Sequence, residues 1–291
     1  MDKNAKMQPR RLGPEGPLVS PVALGGMLLS ISGRPPEDQG IAVINAALDA
    51  GITLIDTADA YSTDERDFNH NEKLVAKAFR RRGERVLVAT KCGMRRPGGA
   101  WTVDARPSYL KEAVHQSLDA LGVDTLDLVQ LHAPDARVPF ADSVGALAEL
   151  REQGKVRLVG LSNVTVSHVE EARRIVPIAT VQNRWNVVDR RPELDGMLDY
   201  CTEHQIAFLA YSPFGGTLGA PSLGTFGKLG EEARRRRISV YRLTLAWMLA
   251  KSPVVIPVPG ARRVESIVDS AAAATLQLSA ADVKAVEAAF R

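Results

Sequence analysis

Short apolar runs alternate with longer segments of helical periodicity along most of the chain, and this alternation repeats about eight times. Most of the runs are almost continuously apolar, which is typical of parallel strands that helices cover on both faces. Strands with one face in water would instead alternate apolar and polar residues. The pattern therefore predicts eight strands, at residues 22–25, 52–56, 86–91, 126–131, 156–161, 178–182, 206–210 and 254–258.

The segments between the runs carry apolar residues three and four positions apart, as amphipathic helices do. Leu110, Val114 and Leu118 form one such stripe, with charged residues on the opposite face. A glycine follows several of these segments, at the position after a helix where a left-handed backbone is common. These predicted helix ends are Gly51, Gly83, Gly122 and Gly154.

Eight strand–helix units in roughly 270 residues match the size of a (β/α)8 barrel, which typically has about 250 residues. A doubly wound open sheet is the alternative. However, the sequence contains no G-x-G-x-x-G and no G-x-x-x-x-G-K-[ST] motif, and these are the common ligand signatures of open sheets. We therefore predict an α/β protein with a single TIM-barrel domain spanning residues 1–291, in which the turn-rich segment 11–20 forms a hairpin that closes the barrel floor.

Composition and charge narrow the range of partners. Lys and Arg (37) exceed Asp and Glu (34) by only 3, which does not indicate a nucleic-acid partner. No apolar stretch reaches the length of a membrane span, and the first residues lack the apolar core of a signal peptide. Two cysteines and scattered histidines form no disulfide framework or metal-binding motif. We expect a cytoplasmic protein without a metal site.

Four polar residues fall at the C-terminal ends of neighbouring predicted strands, where barrel enzymes have their active sites. Asp56 ends the second strand and Tyr61 follows five residues later. Lys91 ends the third strand, and His132 follows the fourth. An ammonium group beside a phenol favours the phenolate, so we expect Lys91, held by Asp56, to lower the pKa of Tyr61. Each residue alone is typical of a solvated loop, but together they predict a proton-transfer site in which His132 orients a substrate oxygen.

In this order and at these strand ends, the four residues resemble the catalytic tetrad of the aldo-keto reductases. The resemblance extends from about residue 10 to the end of the chain. Two segments, L-H-A-P-D at 131–135 and V-P-I-A-T-V-Q-N at 176–183, are most similar to a bacterial branch that includes pyridoxal reductases. Other similar segments are G-I-T-L-I-D-T-A at 51–58, G-K-V-R-L-V-G-L-S-N at 154–163, Q-N-R at 182–184, A-Y-S-P at 210–213 and I-P-V-P-G at 256–260.

The resemblance implies NADPH-dependent reduction of an aldehyde or ketone to an alcohol, with Tyr61 as the general acid. Lys91 and Asp56 would assist Tyr61, and His132 would orient the carbonyl group. The nicotinamide carboxamide would be hydrogen-bonded by Ser162, Asn163 and Gln182. The ring of Tyr211 would stack beneath the nicotinamide, and the pyrophosphate would meet the backbone of Ser212, Phe214 and Gly216.

At the adenosine end the sequence departs from the family pattern. Gly260 is followed by Arg262 and Arg263, as the resemblance leads one to expect. Ser266, however, stands where many members have an arginine against the 2′-phosphate, and Asp269 with Ser270 replaces a typical Glu-Asn pair that holds adenine. Arg262 and Arg263 can substitute, because a guanidinium group is well matched to phosphate. We therefore expect a preference for NADPH, with NADH as an alternative cofactor.

The loops after the strands are expected to determine the substrate. Met27, Trp101 and Trp185 are the candidate substrate-binding residues, and each can equally be a packing residue. If at least two of them line the pocket, the small-molecule substrate should be an apolar or aromatic carbonyl compound, because aromatic rings offer large contact areas. Residues 214–230 are rich in glycine with little periodicity, so we predict a mobile lid there.

Two other functions compete with carbonyl reduction. One is a regulatory subunit that binds nicotinamide dinucleotide with little turnover and acts through protein partners. The other is a barrel isomerase or lyase that acts on a phosphorylated sugar without nicotinamide. The second alternative leaves Ser162, Asn163, Gln182 and Tyr211 without a role.

Overall fold

The computed structural model describes residues 7–79, 82, 86–223 and 227–290, and its centre is a sheet of eight parallel strands. Two short antiparallel ribbons lie outside this sheet. In chain order the strands are β1 (Arg10–Arg11), β2 (Leu18–Val19), β3 (Leu24–Gly25), β4 (Leu54–Asp56), β5 (Leu87–Cys92), β6 (Met94–Arg95), β7 (Thr102–Val103), β8 (Leu126–Leu131), β9 (Val156–Ser162), β10 (Ile178–Arg184), β11 (Ala207–Tyr211) and β12 (Val255–Val258).

The central sheet runs in the order β3, β4, β5, β8, β9, β10, β11 and β12. Its two edge strands meet, because Gly25 and Gly260 form a parallel bridge and the N–H of Ala23 donates to the carbonyl of Pro257 at 3.0 Å. The predicted (β/α)8 barrel is therefore confirmed. Each of the eight predicted strands overlaps one strand of this sheet.

Helices follow the strands and pack outside the barrel. The predicted glycine ends are confirmed at Gly51, Gly122 and Gly154, which all have positive φ, whereas Gly83 lies outside the described residues. None of the described helices has the length and apolar character needed to cross a membrane. In chain order the helices are α1 (Glu37–Asp49), α2 (His70–Phe79), α3 (Pro107–Leu121), α4 (Phe140–Glu152), α5 (Val166–Arg173), α6 (Arg191–Leu194), α7 (Met197–Glu203), α8 (Gly216–Ser222), α9 (Gly227–Arg236), α10 (Val240–Lys251), α11 (Val264–Ala271) and α12 (Ala280–Ala288).

The N-terminal hairpin closes the floor of the barrel, as predicted. Strands β1 and β2 pair antiparallel, with Arg10 opposite Val19. Leu12 and Val19 are buried in one apolar cluster with residues from β4, β5, β8, β9 and later strands. Burying these two side chains against the strand ends removes apolar surface from water at the end of the barrel opposite the site described below.

The secondary structure of segment 214–230 differs from the predicted loop without regular structure. It contains α8 and the first residues of α9, while residues 224–226 lie outside the described part of the chain. A helix of seven residues is too short to show helical periodicity in a glycine-rich sequence, and α8 begins after Gly215, whose φ is 85°. The mobility of this segment stays a prediction.

Replacing Gly160 with alanine is expected to lower the free energy of unfolding by about 1–3 kcal/mol. A Cβ on Gly160, in β9, would lie 2.1 Å from Thr180 Oγ1 and 2.9 Å from Gln130 Cγ, both of which are buried. Gly145→Ala is the matched control, because a Cβ there meets nothing within 4 Å and alanine in a helix stabilises by about 0.5–1 kcal/mol. Urea denaturation of both variants measures the two changes in the free energy of unfolding, which should have opposite signs. A Gly160→Ala variant as stable as the unmodified protein would contradict the packing described here.

Candidate active site

A cavity of about 380 Å³ opens at the C-terminal end of the barrel. Asp56 reaches it from the end of β4, Tyr61 from the loop that follows, and His132 from the position after β8. Parallel strands bring their carboxyl ends to one rim, which is why these residues meet although they are distant in sequence. The cavity is lined by Gly25, Met27, Leu28, Asp56, Tyr61, Met94, Trp101, His132, Ser162, Asn163, Gln182, Tyr211, Ser212, Pro213, Phe214, Gly216, Ala220, Val258 and Gly260.

Lys91 lies beneath this cavity in β5 and is only 1% exposed. Its Nζ donates to both carboxylate oxygens of Asp56, at 2.8 and 2.7 Å, and to the carbonyl of Thr57 at 2.9 Å. It also lies 2.9 Å from the hydroxyl oxygen of Tyr61. A buried ammonium group needs such compensation, because its desolvation is costly. The contacts predicted between Lys91 and both Asp56 and Tyr61 are therefore present in the structure.

The predicted lowering of the Tyr61 pKa is wrong in the structure described here. Burial of the phenol raises its pKa well above 10, and the nearby carboxylate of Asp56 adds to the increase. The sequence argument considered the ammonium of Lys91 but not the loss of water around the ring. Tyr61 is consequently a neutral phenol at pH 7, a state in which it can donate a proton.

His132 is a neutral imidazole in the wall of the cavity. Burial holds its pKa well below the ordinary value of 6.5, and the positive charge of Lys91 acts in the same direction. The ring lies 6.0 Å from that of Tyr61, centroid to centroid. Among the described residues, no hydrogen-bond partner is present for its buried Nδ1. The imidazole of His132 can thus interact with a neutral substrate oxygen without carrying a charge of its own.

Replacing His132 with asparagine is expected to weaken the destabilisation caused by acid. The pKa of this histidine is lowered in the folded protein, so below about pH 6.5 the unfolded chain binds one proton more and stability falls as the pH falls. Between pH 6.5 and 5.5 the variant should lose about 1 kcal/mol less in free energy of unfolding than the unmodified protein. Urea denaturation at both pH values measures the difference, and equal losses would contradict a neutral, buried His132.

The residues predicted to hold the nicotinamide carboxamide lie together in the cavity. Asn163 Nδ2 donates to the carbonyl of His132 at 2.9 Å, and its Oδ1 accepts from the hydroxyl of Tyr211 at 2.8 Å. Ser162 Oγ accepts from Asn163 Nδ2 at 3.1 Å. Gln182 Nε2 donates to Asp56 Oδ1 at 2.7 Å, a link to the tetrad that the sequence analysis missed. A glutamine side chain also carries a second N–H and a carbonyl oxygen, which suit it to a further contact.

The other residues predicted to bind the cofactor divide into two groups. Ser212, Phe214, Gly216 and Gly260 line the cavity. Arg262 and Arg263 directly precede α11, and Ser266 and Asp269 lie within that helix. Asp269 accepts from the guanidinium of Arg242 at 2.7 Å and from the hydroxyl of Ser239. Both partners belong to the start of α10, so the carboxylate is engaged by a neighbouring helix, which the sequence pattern does not reveal.

Two of the three residues predicted to bind substrate are in the cavity wall. Met27 and Trp101 line the cavity. The prediction for Trp185 is wrong, since its side chain is 0% exposed and packs against Phe208 and Trp247. The residue follows β10, but the chain there turns the indole into the layer between barrel and helices, where its N–H donates to Glu193 at 3.0 Å. An aromatic residue after a strand is thus ambiguous between pocket and core.

Asn71, near the start of α2, is a site residue that the sequence analysis did not assign. Its side-chain N–H groups donate to the carbonyl of Gly26 at 2.9 Å and to Ser30 Oγ at 2.7 Å, and its oxygen accepts from Thr57 Oγ1 at 2.7 Å. Its backbone N–H donates to the carbonyl of Tyr61 at 3.3 Å. One buried side chain therefore connects the segment that begins the cavity wall to the loop that carries Tyr61.

A second layer of buried acids lies behind Lys91 and was also missed. Glu72 accepts from Thr90 Oγ1 at 2.5 Å and from Asn69 Nδ2 at 2.6 Å. Burial raises the pKa of both Glu72 and Asp59. In sequence these residues are typical of a polar loop and a helix start, so no local signal distinguishes them from solvated carboxylates.

Comparison with known proteins identifies the family. Residues 21–291 match the model of the aldo/keto reductase family. The chain is 34% identical over 272 residues to pyridoxine 4-dehydrogenase of Escherichia coli (strain K12), which covers 90% of this chain and 91% of that protein. The chain belongs to the aldo/keto reductase family and is an NAD(P)H-dependent oxidoreductase.

Solved structures agree with this assignment. The glycerol dehydrogenase AKR11B4 from Gluconobacter oxydans is 30% identical, with a TM-score of 0.83 over 97% of this chain and 94% of that one. An aldo-keto reductase from Klebsiella pneumoniae in complex with NADPH is 26% identical, with a TM-score of 0.83 over 98% and 96% of the two chains. The barrel described above is therefore the fold of these relatives.

The cavity fits the nicotinamide dinucleotide that the family uses. It continues from the tetrad to Gly216 and Gly260, and Arg262 and Arg263 follow Gly260 in the chain, just before α11. A Cβ on Gly260 would lie 3.0 Å from the side chain of Leu28 and would narrow this passage. Amide and hydroxyl groups line the cavity beside the tetrad, and these are suitable partners for a carboxamide.

Proposed function

We propose that the protein reduces an aldehyde or a ketone to an alcohol with NADPH as the reductant. The observation that supports this best is the contact of 2.9 Å between Lys91 Nζ and the hydroxyl oxygen of Tyr61 in a cavity that also contains His132. A protonated phenol next to an ammonium group is suited to give a proton to a carbonyl oxygen and to tolerate the negative charge that remains.

The proposed roles follow from these contacts. NADPH, when bound, supplies the hydride for the carbonyl carbon. Tyr61 donates its proton to the carbonyl oxygen, and Lys91 stabilises the resulting phenolate through the hydrogen bond to the same oxygen. Asp56 holds Lys91 in position by accepting two hydrogen bonds. His132, neutral because of its lowered pKa, orients the carbonyl group.

Cofactor binding is assigned to the residues that line the cavity beside the tetrad. Ser162, Asn163 and Gln182 would hold the carboxamide, and Tyr211 would stack on the ring. The choice of NADPH is supported by the relative from Klebsiella pneumoniae, whose structure contains NADPH. Arg262 and Arg263 are the cations that follow the cavity, and we assign them to the 2′-phosphate because guanidinium groups match phosphate oxygens.

The substrate that fits the cavity is an uncharged, largely apolar carbonyl compound. Met27, Leu28, Met94 and Trp101 form the wall next to the tetrad. Among the described lining residues, Asp56 is the only one with a charged side chain, and Lys91 neutralises it. A substrate anion would have no cationic partner among these lining residues, so the cost of its desolvation would not be compensated.

Titration with NADPH and NADH, followed by quenching of tryptophan fluorescence, tests the cofactor part of the proposal. We expect NADPH to bind more tightly, and replacement of Arg262 and Arg263 with alanine to weaken NADPH more than NADH, because NADH has no 2′-phosphate. Glu265→Ala is the matched helix-surface control. Binding of neither nucleotide would contradict the proposal, and tight binding without reduction of any carbonyl compound would favour the regulatory subunit.

A further inference from the structure

Trp101 stands at the mouth of the cavity, in the connection between β6 and β7; residues 94–103 form a short ribbon. Its side chain is 44% exposed although it is large and apolar. The indole lies edge-on to two tetrad rings, with centroid distances of 6.3 Å to Tyr61 and 6.2 Å to His132. When the carbonyl oxygen of a substrate meets these two residues, a large substituent on the carbonyl carbon can therefore contact Trp101.

Arg96, on the same ribbon, covers the indole of Trp101. The centre of its guanidinium group is 3.8 Å from the ring centroid, and Arg96 is only 4% exposed. Its Nη2 donates to the carbonyl of Thr63 at 3.0 Å. Within the part of the chain that the structure describes, its buried Nε and Nη1 have no hydrogen-bond partner.

A buried guanidinium group with two unsatisfied nitrogens is costly unless another contact compensates for it. Here the compensating contact is the face of the indole, whose π electrons attract a cation. Trp101 thus has the guanidinium group of Arg96 over one ring face and lies edge-on to the rings of Tyr61 and His132.

The ribbon is also fastened to the loop that follows Tyr61. Arg96 reaches Thr63 in this loop, and the N–H of Gly98 donates to Glu65 Oε2 at 2.6 Å. The wall of the cavity at Trp101 is therefore connected to the segment that carries the proposed general acid. Arg96 is the residue that contacts both Trp101 and this loop.

We propose that Arg96 is a positioning residue that determines substrate specificity by holding the indole of Trp101 against the carbonyl site. The inference rests on the proposed carbonyl reduction. Arg96 does not line the cavity, so it acts on the substrate only through Trp101. Substrates with an aryl group on the carbonyl carbon reach the indole and depend on its position. Small aliphatic aldehydes do not reach it and are indifferent to Arg96.

The test compares benzaldehyde with propanal in three variants. Arg96→Met keeps a long side chain without the charge, and it should raise KM for benzaldehyde about fivefold to tenfold while leaving kcat and the propanal parameters unchanged. Arg96→Lys retains a cation and should restore part of the benzaldehyde affinity. In a Trp101→Ala background, Arg96→Met should change KM for benzaldehyde less than about twofold, because the two residues act as a unit.

Fluorescence gives a readout that does not depend on turnover. The chain has three tryptophans, and Trp185 and Trp247 are fully buried. Quenching by acrylamide therefore reports on Trp101, and Arg96→Met should increase it because the cation no longer holds the indole in place. Unchanged quenching, or equal changes of KM for the two aldehydes, would overturn the inference. If the unmodified protein reduced neither aldehyde, the proposed function would fail and the inference with it.

Discussion

Replacing Tyr61 with phenylalanine is expected to lower kcat at least about a hundredfold while leaving the affinity for NADPH nearly unchanged. The change removes the proposed proton donor, whereas the ring that forms part of the cavity wall is retained. The pKa of Tyr61 is raised, so the phenol is the protonated species throughout the neutral pH range. Steady-state kinetics with benzaldehyde and a fluorescence titration with NADPH measure the two quantities.

Tyr200→Phe is the matched control for this variant. Tyr200 is a tyrosine of α7 whose hydroxyl accepts from Arg173 at 2.7 Å, and it does not line the cavity. Its replacement should leave kcat unchanged. Near-normal turnover in the Tyr61→Phe variant would remove Tyr61 from the mechanism, whereas a parallel loss of NADPH affinity would indicate a damaged site rather than a missing proton donor.

Replacing Lys91 with methionine is expected to lower the free energy of unfolding by about 3–5 kcal/mol. Lys91 and Asp56 form an ion pair at 2.7 Å in which both side chains are almost completely buried. The variant keeps the length of the side chain but leaves the carboxylate of Asp56 without its counter-charge. Urea denaturation measures the loss, and the same variant should lack measurable carbonyl reduction.

Lys77→Met serves as the control, because the pair of Lys77 with Glu37 is about half exposed on both sides and such pairs contribute about 1 kcal/mol or less. A second substitution, Asp56→Asn, should recover part of the stability of the Lys91→Met variant, since it removes the uncompensated charge. A loss no larger than that of the control would contradict the buried ion pair.

Much of the fold could be predicted because parallel strands that are buried on both faces leave a strong apolar signal. Residues 126–131 are an example, since the predicted run and β8 coincide. The segment 214–230 was predicted to lack regular structure, because the glycine-rich helix α8, which is only seven residues long, lacks a stripe of apolar side chains. Helix α8 is defined instead by its neighbours, including the hydrogen bond from Tyr241 to the carbonyl of Ala220.

In the candidate site, the residues at strand ends were predictable, whereas those that act through three-dimensional contacts were not. Asp56 and Lys91 are placed by strand periodicity and by the common rim of a barrel. Asn71 and Arg96 lie on a helix and a ribbon, where their residue types are ordinary for solvated positions. Only the packing of their surroundings shows that both are buried. The same holds for the raised pKa of Tyr61, which depends on how little water reaches the ring.

Transfer of deuterium from NADPH labelled with two deuterium atoms at C4 of the nicotinamide tests carbonyl reduction most directly. The labelled cofactor is mixed with benzaldehyde and the protein, and the product is analysed by mass spectrometry, with the Tyr61→Phe variant in parallel. We expect benzyl alcohol with one deuterium on the carbinol carbon, and far less of it from the variant. Absence of the alcohol, or an alcohol without deuterium, would contradict the proposed function.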